Sequence, residues 1–134
     1  MQKKINIIEM QVRAYECDFQ GIVNNAVYMN YLEHARMSYG KAMGIDVVTL
    51  AKEGVIWVVN EARLQYKSSL RPGDDFEIIT STSVQGVMRG IFHQEIKKKD
   101  SGELILQSEI ITACIINGYP GPLPQVIREK MAAS

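Results

Sequence analysis

Residues 25–43 read NAVYMNYLEHARMSYGKAM, and this stretch predicts the longest regular element of the chain. Apolar or small side chains recur in it every three or four residues, a spacing that places them on one face of an α-helix. Asn24 has the side chain of a good N-cap, and Gly44 is suited to end the helix. The residues predicted to face a core are Tyr28, Tyr31, Leu32, Ala35, Tyr39, Ala42 and Met43.

Strand patterns surround this helix, because branched and aromatic side chains alternate with polar ones in five stretches. Short turn signals such as Asp100-Ser101-Gly102 separate the later stretches and predict antiparallel neighbours. We expect a first strand with a bulge near Ile7-Ile8, only strands between the long helix and residue 116, and a short helix near the C-terminal end. The predicted strands cover residues 5–12, 55–66, 76–84, 90–97 and 104–116, and the short helix covers 125–132.

The number and kind of these elements predict the fold class. A helix with one wide apolar stripe and about five antiparallel strands can both be buried if a curved sheet wraps around the helix. The chain has 134 residues, enough for one domain with a hydrophobic core and too few for two. The sequence therefore predicts a single α+β domain over residues 1–134, in which an antiparallel five- to six-stranded sheet surrounds one long central helix.

The composition argues against several classes of partner. Lys and Arg together number 15, as do Asp and Glu, so the formal net charge is zero and gives no general attraction for nucleic acid or acidic membranes. The sequence shows no secretory signal and no apolar run of about 20 residues. Cys17 and Cys114 lack the spacing of a metal or redox motif. We expect a cytoplasmic protein without a resident cofactor or metal, and with neither nucleic acid nor a membrane as partner.

Asp18 is the first candidate for a chemical role. It lies in a turn that ends at Gly21, shortly before the long helix. The unpaired N–H groups of a helix's first turn carry partial positive charge and can stabilise an oxyanion. A carboxylate beside them can attack a carbonyl carbon or activate a water, so the two parts together make an acyl-transfer site. The alternative is an aspartate that caps its own turn, which is the commoner role of Asp in a loop.

The segment around Asp18 resembles a known family. The residues that carry the resemblance are Gln11-Val12, Cys17-Asp18, Gly21-Ile22-Val23, Tyr28, Tyr31, Glu33 and Arg36. Together they closely resemble the signature of the 4-hydroxybenzoyl-CoA thioesterase family, and a looser similarity continues through residues 66–74 and 92–96.

The resemblance implies both a fold and a function. The implied fold is the hotdog fold, a sheet wrapped round one long helix, and the implied activity is hydrolysis of coenzyme A thioesters. By this resemblance Asp18 is the catalytic carboxylate, and the backbone N–H near Asn25 polarises the thioester carbonyl. Gly21, Val23 and Asn24 are then expected to contact the substrate.

The sequence departs from common patterns of that family. Many fatty acyl relatives read Gly-His-Val-Asn-Asn where this chain reads Gly21-Ile22-Val23-Asn24-Asn25. A catalytic dyad with histidine is therefore not expected, and Asp18 would work with backbone and amide groups. His34 and His93 lack a further ligand at metal-binding spacing, so neither is expected to hold a metal.

Further residues are candidates for binding the substrate. Coenzyme A carries phosphates, which bind Arg, Lys and hydroxyl side chains on loops, although basic loops are most often simply solvated. Tyrosines near the turn can line an acyl pocket, although at helical spacing they more often belong to a core. The candidate phosphate contacts are Lys67, Ser68, Arg71 and Arg89, and the candidate acyl contacts are Tyr15 and Tyr28.

Two functions of different classes stay open from the sequence. One is an enzyme that hydrolyses an acyl-CoA or aroyl-CoA to the free acid and coenzyme A, with Asp18 as general base or nucleophile. The other is a non-catalytic hotdog module that binds acyl-CoA. The resemblance also implies a homodimer or homotetramer, with sheets joined edge to edge and sites at the subunit interface. The length and chemistry of the acyl group are not indicated.

Overall fold

The computed structural model describes residues 5–132, which form one antiparallel sheet and three helices. The predicted strands are present, each within one or two residues of its expected ends, and the short C-terminal helix has the expected bounds. The elements are β1 (Asn6–Gln11), α1 (Asn25–Ala42), α2 (Val47–Lys52), β2 (Val55–Tyr66), β3 (Asp75–Gln85), β4 (Arg89–Lys98), β5 (Leu104–Ile116), β6 (Tyr119–Gly121) and α3 (Gln125–Ala132).

The strands form one sheet in the order β1-β3-β4-β5-β2, and β6 pairs with β5. The long helix α1 packs mainly over β1 and β3, whereas the short helix α2 lies on β2. We name the sheet face that carries α1 the concave face, and the opposite side the convex face. The α+β class and the sheet around one long helix are confirmed, and this arrangement is the hotdog fold.

The ends and the packed face of α1 follow from its sequence. The side chain of Asn24 accepts a hydrogen bond from the N–H of Ala26 at 2.9 Å, so Asn24 is the predicted N-cap. Gly44 follows the helix with a φ of +72°, a conformation that glycine adopts without strain. Met43 contacts the core, but Ala42 is exposed, so the packed face narrows in the last turn and the prediction for Ala42 is wrong. The fully buried residues of α1 are Tyr28, Tyr31, Leu32, Ala35, Tyr39 and Gly40.

The expected bulge in the first strand is wrong. β1 pairs with β3 in continuous register from Asn6 to Gln11, and Ile7 lies on the convex face opposite Ile79. Ile8 packs against the core, whereas Ile7 is exposed to solvent. The two consecutive isoleucines therefore interrupt the hydrophobic alternation because Ile7 is an exposed apolar residue, and not because the strand is kinked. A bulge occurs instead in β2, where Asn60 is an extra residue between two positions paired with β5.

The expectation of strands only between α1 and residue 116 is also wrong, because α2 lies there. The side chain of Asp46 accepts hydrogen bonds from the N–H groups of Val48 and Thr49, which is the geometry of an N-cap. A helix of six residues has too few turns to show a hydrophobic period, and its branched Val47-Val48 pair favours a strand by propensity. None of the helices in the described range is long and apolar enough to cross a membrane.

A buried polar cluster joins α1 to the middle of the sheet. Gln94 of β4 is fully buried, and its side-chain N–H groups donate to the carbonyl of Leu32 and to the hydroxyl of Thr80. Its amide oxygen accepts a hydrogen bond from the guanidinium of Arg36 at 3.1 Å. Burial lowers the pKa of Arg36 from its ordinary value, because desolvation disfavours the charged form. Gln94 thus links a backbone carbonyl and a cation of α1 to a hydroxyl of β3.

We predict that Gln94→Leu destabilises the fold by about 2–4 kcal/mol, because it leaves a partly buried guanidinium and two buried polar groups without this partner. Urea unfolding followed by circular dichroism measures the change. Gln107→Leu, at an exposed position of the neighbouring strand β5, is the matched control and should change stability by less than about 0.5 kcal/mol. Equal stability of the two variants would contradict this account of the cluster.

Candidate active site

The segment between β1 and α1 forms a closed turn that holds Asp18. A short 3₁₀ helix, Ala14–Glu16, is followed by a single antiparallel bridge between Cys17 and Val23. Beyond the bridge, the N–H of Asp18 donates to the carbonyl of Ile22, and the N–H of Gly21 donates to the carbonyl of Asp18. Gly21 has a φ of +76°, so a residue with a side chain would be strained there.

The carboxylate of Asp18 is half-buried and has one oxygen tied to its own turn. Its Oδ1 accepts a hydrogen bond from the N–H of Gln20 at 2.8 Å, which is the turn-capping contact considered from the sequence. No hydrogen bond to its Oδ2 occurs among residues 5–132. The capping contact therefore holds the side chain in place and leaves one oxygen open for another partner.

The start of α1 supplies one unbonded backbone donor. The N–H of Ala26 is satisfied by the side chain of Asn24, and the N–H of Val27 donates to the carbonyl of Asn24. Within the described part of the chain, the N–H of Asn25 has no hydrogen-bond acceptor. Of the N–H groups of Asn25, Ala26 and Val27, only that of Asn25 is thus without an acceptor in the described part of the chain. It lies at the N-terminal end of α1, where the helix carries partial positive charge.

Glu16 fixes the segment on which Asp18 lies, and sequence reasoning did not identify it. Its carboxylate accepts hydrogen bonds from the hydroxyl of Tyr31 and the N–H of Arg13, both at 2.8 Å, and its carbonyl accepts the N–H of Asn24. Burial and the hydrogen bond to Glu16 both raise the pKa of Tyr31, so this phenol stays protonated. The only sequence signal was the three-residue spacing between Arg13 and Glu16.

The loop after β2 lies against the same end of α1. The hydroxyl of Tyr66 donates to the carbonyl of Asn25 at 3.3 Å. The N–H of Val23 donates to the carbonyl of Leu70, and the N–H of Leu70 donates to the hydroxyl of Tyr28. The structure thus brings the loop that contains the candidate phosphate contacts to the end of α1 where Asp18 lies. Of those candidates, Lys67 and Arg71 are exposed and Ser68 is half-buried.

Other predicted site residues lie apart from this end of the molecule or inside it. Arg89 is the first residue of β4 and pairs with Gln85 at the end of β3, whereas Arg71 lies before the start of β3, which is about 33 Å long. The side chain of Tyr15 is 80% exposed beside the turn, whereas Val23 and Tyr28 are buried in the core. Within one chain, Arg89 therefore does not share a site with Asp18.

The cysteine and histidine residues do not complete a nucleophile at this site. Burial and the neighbouring Glu16 and Asp18 raise the pKa of Cys17, which keeps this thiol protonated at neutral pH. His34 is exposed on α1. His93 lies on the convex face, where its Nε2 is 2.8 Å from the hydroxyl of Ser83.

That histidine–serine pair joins two paired strands and lies outside the turn that holds Asp18. Among residues 5–132, no group of three or more His, Cys, Asp or Glu side chains is placed to hold a metal ion.

Comparison with known proteins adds relatives of known activity. A model of the thioesterase-like superfamily matches residues 12–131. The acyl-acyl carrier protein thioesterase ATL3 of Arabidopsis thaliana, a chloroplastic protein, is 36% identical over 124 residues, which are 92% of this chain and 65% of the relative. The chain thus spans slightly less than two thirds of that relative's length.

Two solved structures share the fold. The 1,4-dihydroxy-2-naphthoyl-CoA thioesterase Slr0204 from Synechocystis superposes with a TM-score of 0.89 at 18% identity, and the match covers 96% of both chains. The protein SAV2348 from Staphylococcus aureus, solved in complex with CoA, superposes with a TM-score of 0.87 at 17% identity over 97% of this chain and 83% of that one.

The family match covers the turn of Asp18, the whole of α1 and all strands from β2 to β6. It agrees with the resemblance found in the sequence at the level of the superfamily, while the narrower 4-hydroxybenzoyl-CoA family stays a prediction. From its sequence and its fold, this chain belongs to the thioesterase-like superfamily.

Proposed function

We propose that the protein hydrolyses an acyl-CoA or related thioester. In this proposal Asp18 is the general base or nucleophile, and the N–H of Asn25 stabilises the charge that develops on the carbonyl oxygen. The main observation behind this proposal is that a half-buried Asp18, whose Oδ2 accepts no hydrogen bond within the described residues, lies in the turn that leads into α1. The first N–H of that helix, at Asn25, has no acceptor there either. Membership of the thioesterase-like superfamily supports the class of reaction.

The two groups suit the two halves of the reaction. The N–H of Asn25 donates to the thioester carbonyl oxygen and stabilises the negative charge that develops there. In the simpler of two routes, Asp18 takes a proton from a water that attacks the carbonyl carbon; the C–S bond then breaks, and coenzyme A leaves as the thiol after receiving that proton. In the other route, the carboxylate itself attacks the carbon and the C–S bond breaks, so that coenzyme A leaves as the thiolate and takes a proton from solvent; water then opens the resulting anhydride, which releases the acid and restores the carboxylate.

The thiol part of the substrate is proposed from the relatives and the loop. Slr0204 is a CoA thioesterase and SAV2348 was solved with CoA, whereas ATL3 is an acyl-acyl carrier protein thioesterase. Both thiols end in the same phosphopantetheine arm, and the exposed Lys67 and Arg71 offer charges to the phosphates of coenzyme A. We propose CoA as the thiol and the cytoplasm as the location. A non-catalytic acyl-CoA-binding module is the alternative, and an inactive protein that still binds the ester would favour it.

We also propose that two copies associate through β2. This strand has twelve residues and is the outermost strand on its side, and no other strand of the described chain pairs with its outer edge. It exposes Ile56, Val59 and Tyr66, each at 45–48%. Such an edge favours pairing with another strand. If the β2 strands of two copies paired antiparallel, with their midpoints opposite each other, the sheets of the two copies would join into one. The family resemblance implies such an edge-to-edge arrangement.

The first prediction concerns the carboxylate. Asp18→Asn keeps the size of the side chain but removes its charge and basicity, so kcat should fall by about 10²–10⁴ while binding of the CoA ester persists. Thiol release from a panel of acyl-CoA esters measures the change. Near-normal kcat in this variant would remove the basis of the proposed chemistry.

Asn25 provides the matched controls, because the group proposed there is the backbone N–H. Asn25→Ala keeps that N–H and should cost much less than Asp18→Asn. Asn25→Pro deletes it and should lower kcat severely, although proline is sterically acceptable at a first helical position. Equal losses from the two substitutions would show that the side chain matters and not the N–H.

The second prediction concerns the phosphates of coenzyme A. Arg71→Ala should raise KM for CoA esters by about tenfold with a smaller effect on kcat, because a phosphate contact acts on ground and transition states alike. Arg89 is far from Asp18 of its own chain. Arg89→Ala should therefore raise KM for CoA esters only if Arg89 reaches the site of a second copy. Thioesters that lack the nucleotide are the control, and an equal KM change for them would show that neither arginine contacts a phosphate.

The third prediction concerns assembly. Wild-type protein at micromolar concentration should be at least dimeric by light scattering. Ala62→Arg places like charges near each other at the middle of the paired strands and should shift the protein towards monomer. Glu103→Arg, in the exposed turn between β4 and β5 and not on the outer edge of β2, is the control and should not. A fully active wild-type monomer would contradict both the pairing and any shared site.

A further inference from the structure

Three tyrosines on the packed face of α1 direct their hydroxyls to three different parts of the molecule. The side chains of Tyr28, Tyr31 and Tyr39 are at most 2% exposed, and their rings all fill the core. One hydroxyl bonds to the loop after β2, one to the segment before α1, and one to β3. Phenylalanine at any of these positions would keep the ring and lose only the hydroxyl. The contribution of each hydroxyl can therefore be measured separately.

The hydroxyl of Tyr31 supports both groups of the proposed chemistry through Glu16. The side chain of Glu16 is only 11% exposed, and its Oε1 accepts a hydrogen bond from this hydroxyl at 2.8 Å. Its backbone carbonyl accepts the N–H of Asn24 at 3.0 Å. Glu16 thus precedes Asp18 by two residues in the chain and is bonded to the residue next to Asn25.

Loss of this hydroxyl changes the surroundings of a carboxylate that has little contact with water. Such a carboxylate needs its hydrogen-bond donors, so without the phenol we expect the side chain of Glu16 to turn towards solvent and to displace its backbone. That backbone is joined to Asp18 by the chain and to the start of α1 by the bond to Asn24. A displacement of about 1 Å between reacting groups costs about 10²-fold in rate. The Tyr31 hydroxyl therefore bears on the chemical step.

The hydroxyl of Tyr28 acts on a different segment, the loop of residues 67–71 that we propose for the phosphates of coenzyme A. It accepts the N–H of Leu70 at 3.2 Å, and both residues are buried. The N–H groups of Lys67 and Ser68 hold the other end of the loop, because both donate to a carbonyl of β5. Without the phenol, a buried N–H loses this acceptor and the loop loses one of its anchors. The Tyr28 hydroxyl therefore bears on binding of the thiol part of the substrate.

The two sets of contacts are separable. The turn of Asp18 is closed by the bridge between Cys17 and Val23 and by bonds within the turn, and none of those described involves the hydroxyl of Tyr28. Tyr39 provides a reference on the same helix face, about 12 Å along α1 from Tyr31. Its hydroxyl is 2.9 Å from that of Thr82 in β3, away from both segments.

We propose that Tyr31 and Tyr28 are positioning residues that act on different kinetic constants of the same reaction. Tyr31 acts through Glu16 to hold the carboxylate of Asp18 and the N–H of Asn25 at the correct distance, and so determines kcat. Tyr28 holds the loop that binds coenzyme A, and so determines KM. The inference rests on the proposed function, and it adds two residues that contact neither substrate nor reacting atoms.

Three single substitutions test the proposal. Tyr31→Phe should lower kcat for an acyl-CoA ester by at least about tenfold, with KM changed by less than about twofold. Tyr28→Phe should raise KM for CoA esters by about three- to tenfold with little change in kcat. Tyr39→Phe removes a buried hydroxyl from the same helix face and should change neither constant by more than about twofold. Initial rates of thiol release at several substrate concentrations give both constants.

Urea unfolding separates positioning from general damage to the core. The unfolding midpoints of the three variants should fall by similar amounts, because each variant loses one buried hydrogen bond. If Tyr39→Phe lowered kcat as much as Tyr31→Phe, the losses would come from a loosened core, and the role of Tyr31 would be overturned. If Tyr28→Phe raised KM equally for thioesters that lack the nucleotide, its role in coenzyme A binding would be overturned.

A double-substitution cycle tests whether Tyr31 acts through Glu16. Glu16→Gln keeps the shape of the side chain and removes the charge that strengthens its bond to the phenol, so it should lower kcat in the same direction as Tyr31→Phe. The variant with both substitutions should lose little more than the larger single loss, because both changes break one contact. Losses that multiply would show two independent effects and overturn the action through Glu16.

These results are distinct from a failure of the proposed chemistry. Near-normal kcat in Asp18→Asn would reveal that failure directly, whatever the tyrosine variants show. If the wild type released no thiol from any CoA ester, the role of Tyr31 would fall with the chemistry, and titration with a CoA ester would decide the role of Tyr28. Tyr28→Phe should then weaken binding by about three- to tenfold, and unchanged binding would overturn its role.

Discussion

The structure depends on one constraint, which is that the tyrosine hydroxyls buried under α1 must each find a hydrogen-bond partner. Tyr31 donates to Glu16 in the segment before the helix, and Tyr28 accepts the N–H of Leu70 in the loop after β2. Tyr39 is hydrogen-bonded to Thr82 of β3, 2.9 Å away. The same helix face that fills the core thus holds the two loops around the candidate site at defined positions.

This arrangement fixes the backbone around the candidate site. Because Glu16 is held by Tyr31, its carbonyl can accept the N–H of Asn24, and the capping residue of α1 is fixed. The turn of Asp18 closes on itself within the same segment. A donor and a carboxylate that are already in place cost little reorganisation during reaction, which is the condition under which fixed dipoles stabilise charge most effectively. The tyrosines of α1 therefore fill the core with their rings and, through their hydroxyl groups, order the segments around the candidate site.

The sequence predicted those features that are set by local pattern. The long helix with Asn24 and Gly44 at its ends, and the strands with their turns, follow from periodicity and capping chemistry. α2 was not predicted, because six residues that begin with two valines carry no helical period. The bulge at Asn60 depends on pairing with a distant strand, and so do the contacts of Tyr66 and Leu70 with the start of α1. The superfamily and the turn of Asp18 were within reach of the sequence, whereas the partners of the buried tyrosine hydroxyls depend on where α1 lies across the sheet.

The bulge at Asn60 makes the long outer edge of β2 a poor template for fibre growth. A flat, exposed strand of twelve residues is a template onto which further copies can add without limit. An extra residue in its middle bends the strand and increases its twist, so the strand departs from the straight ladder that a growing fibril needs. Two bulged strands that met about a two-fold axis, as proposed, would consume both edges at once, and the other end of each sheet is β1, described over six residues. The irregular residue thus favours a closed pair over an open polymer.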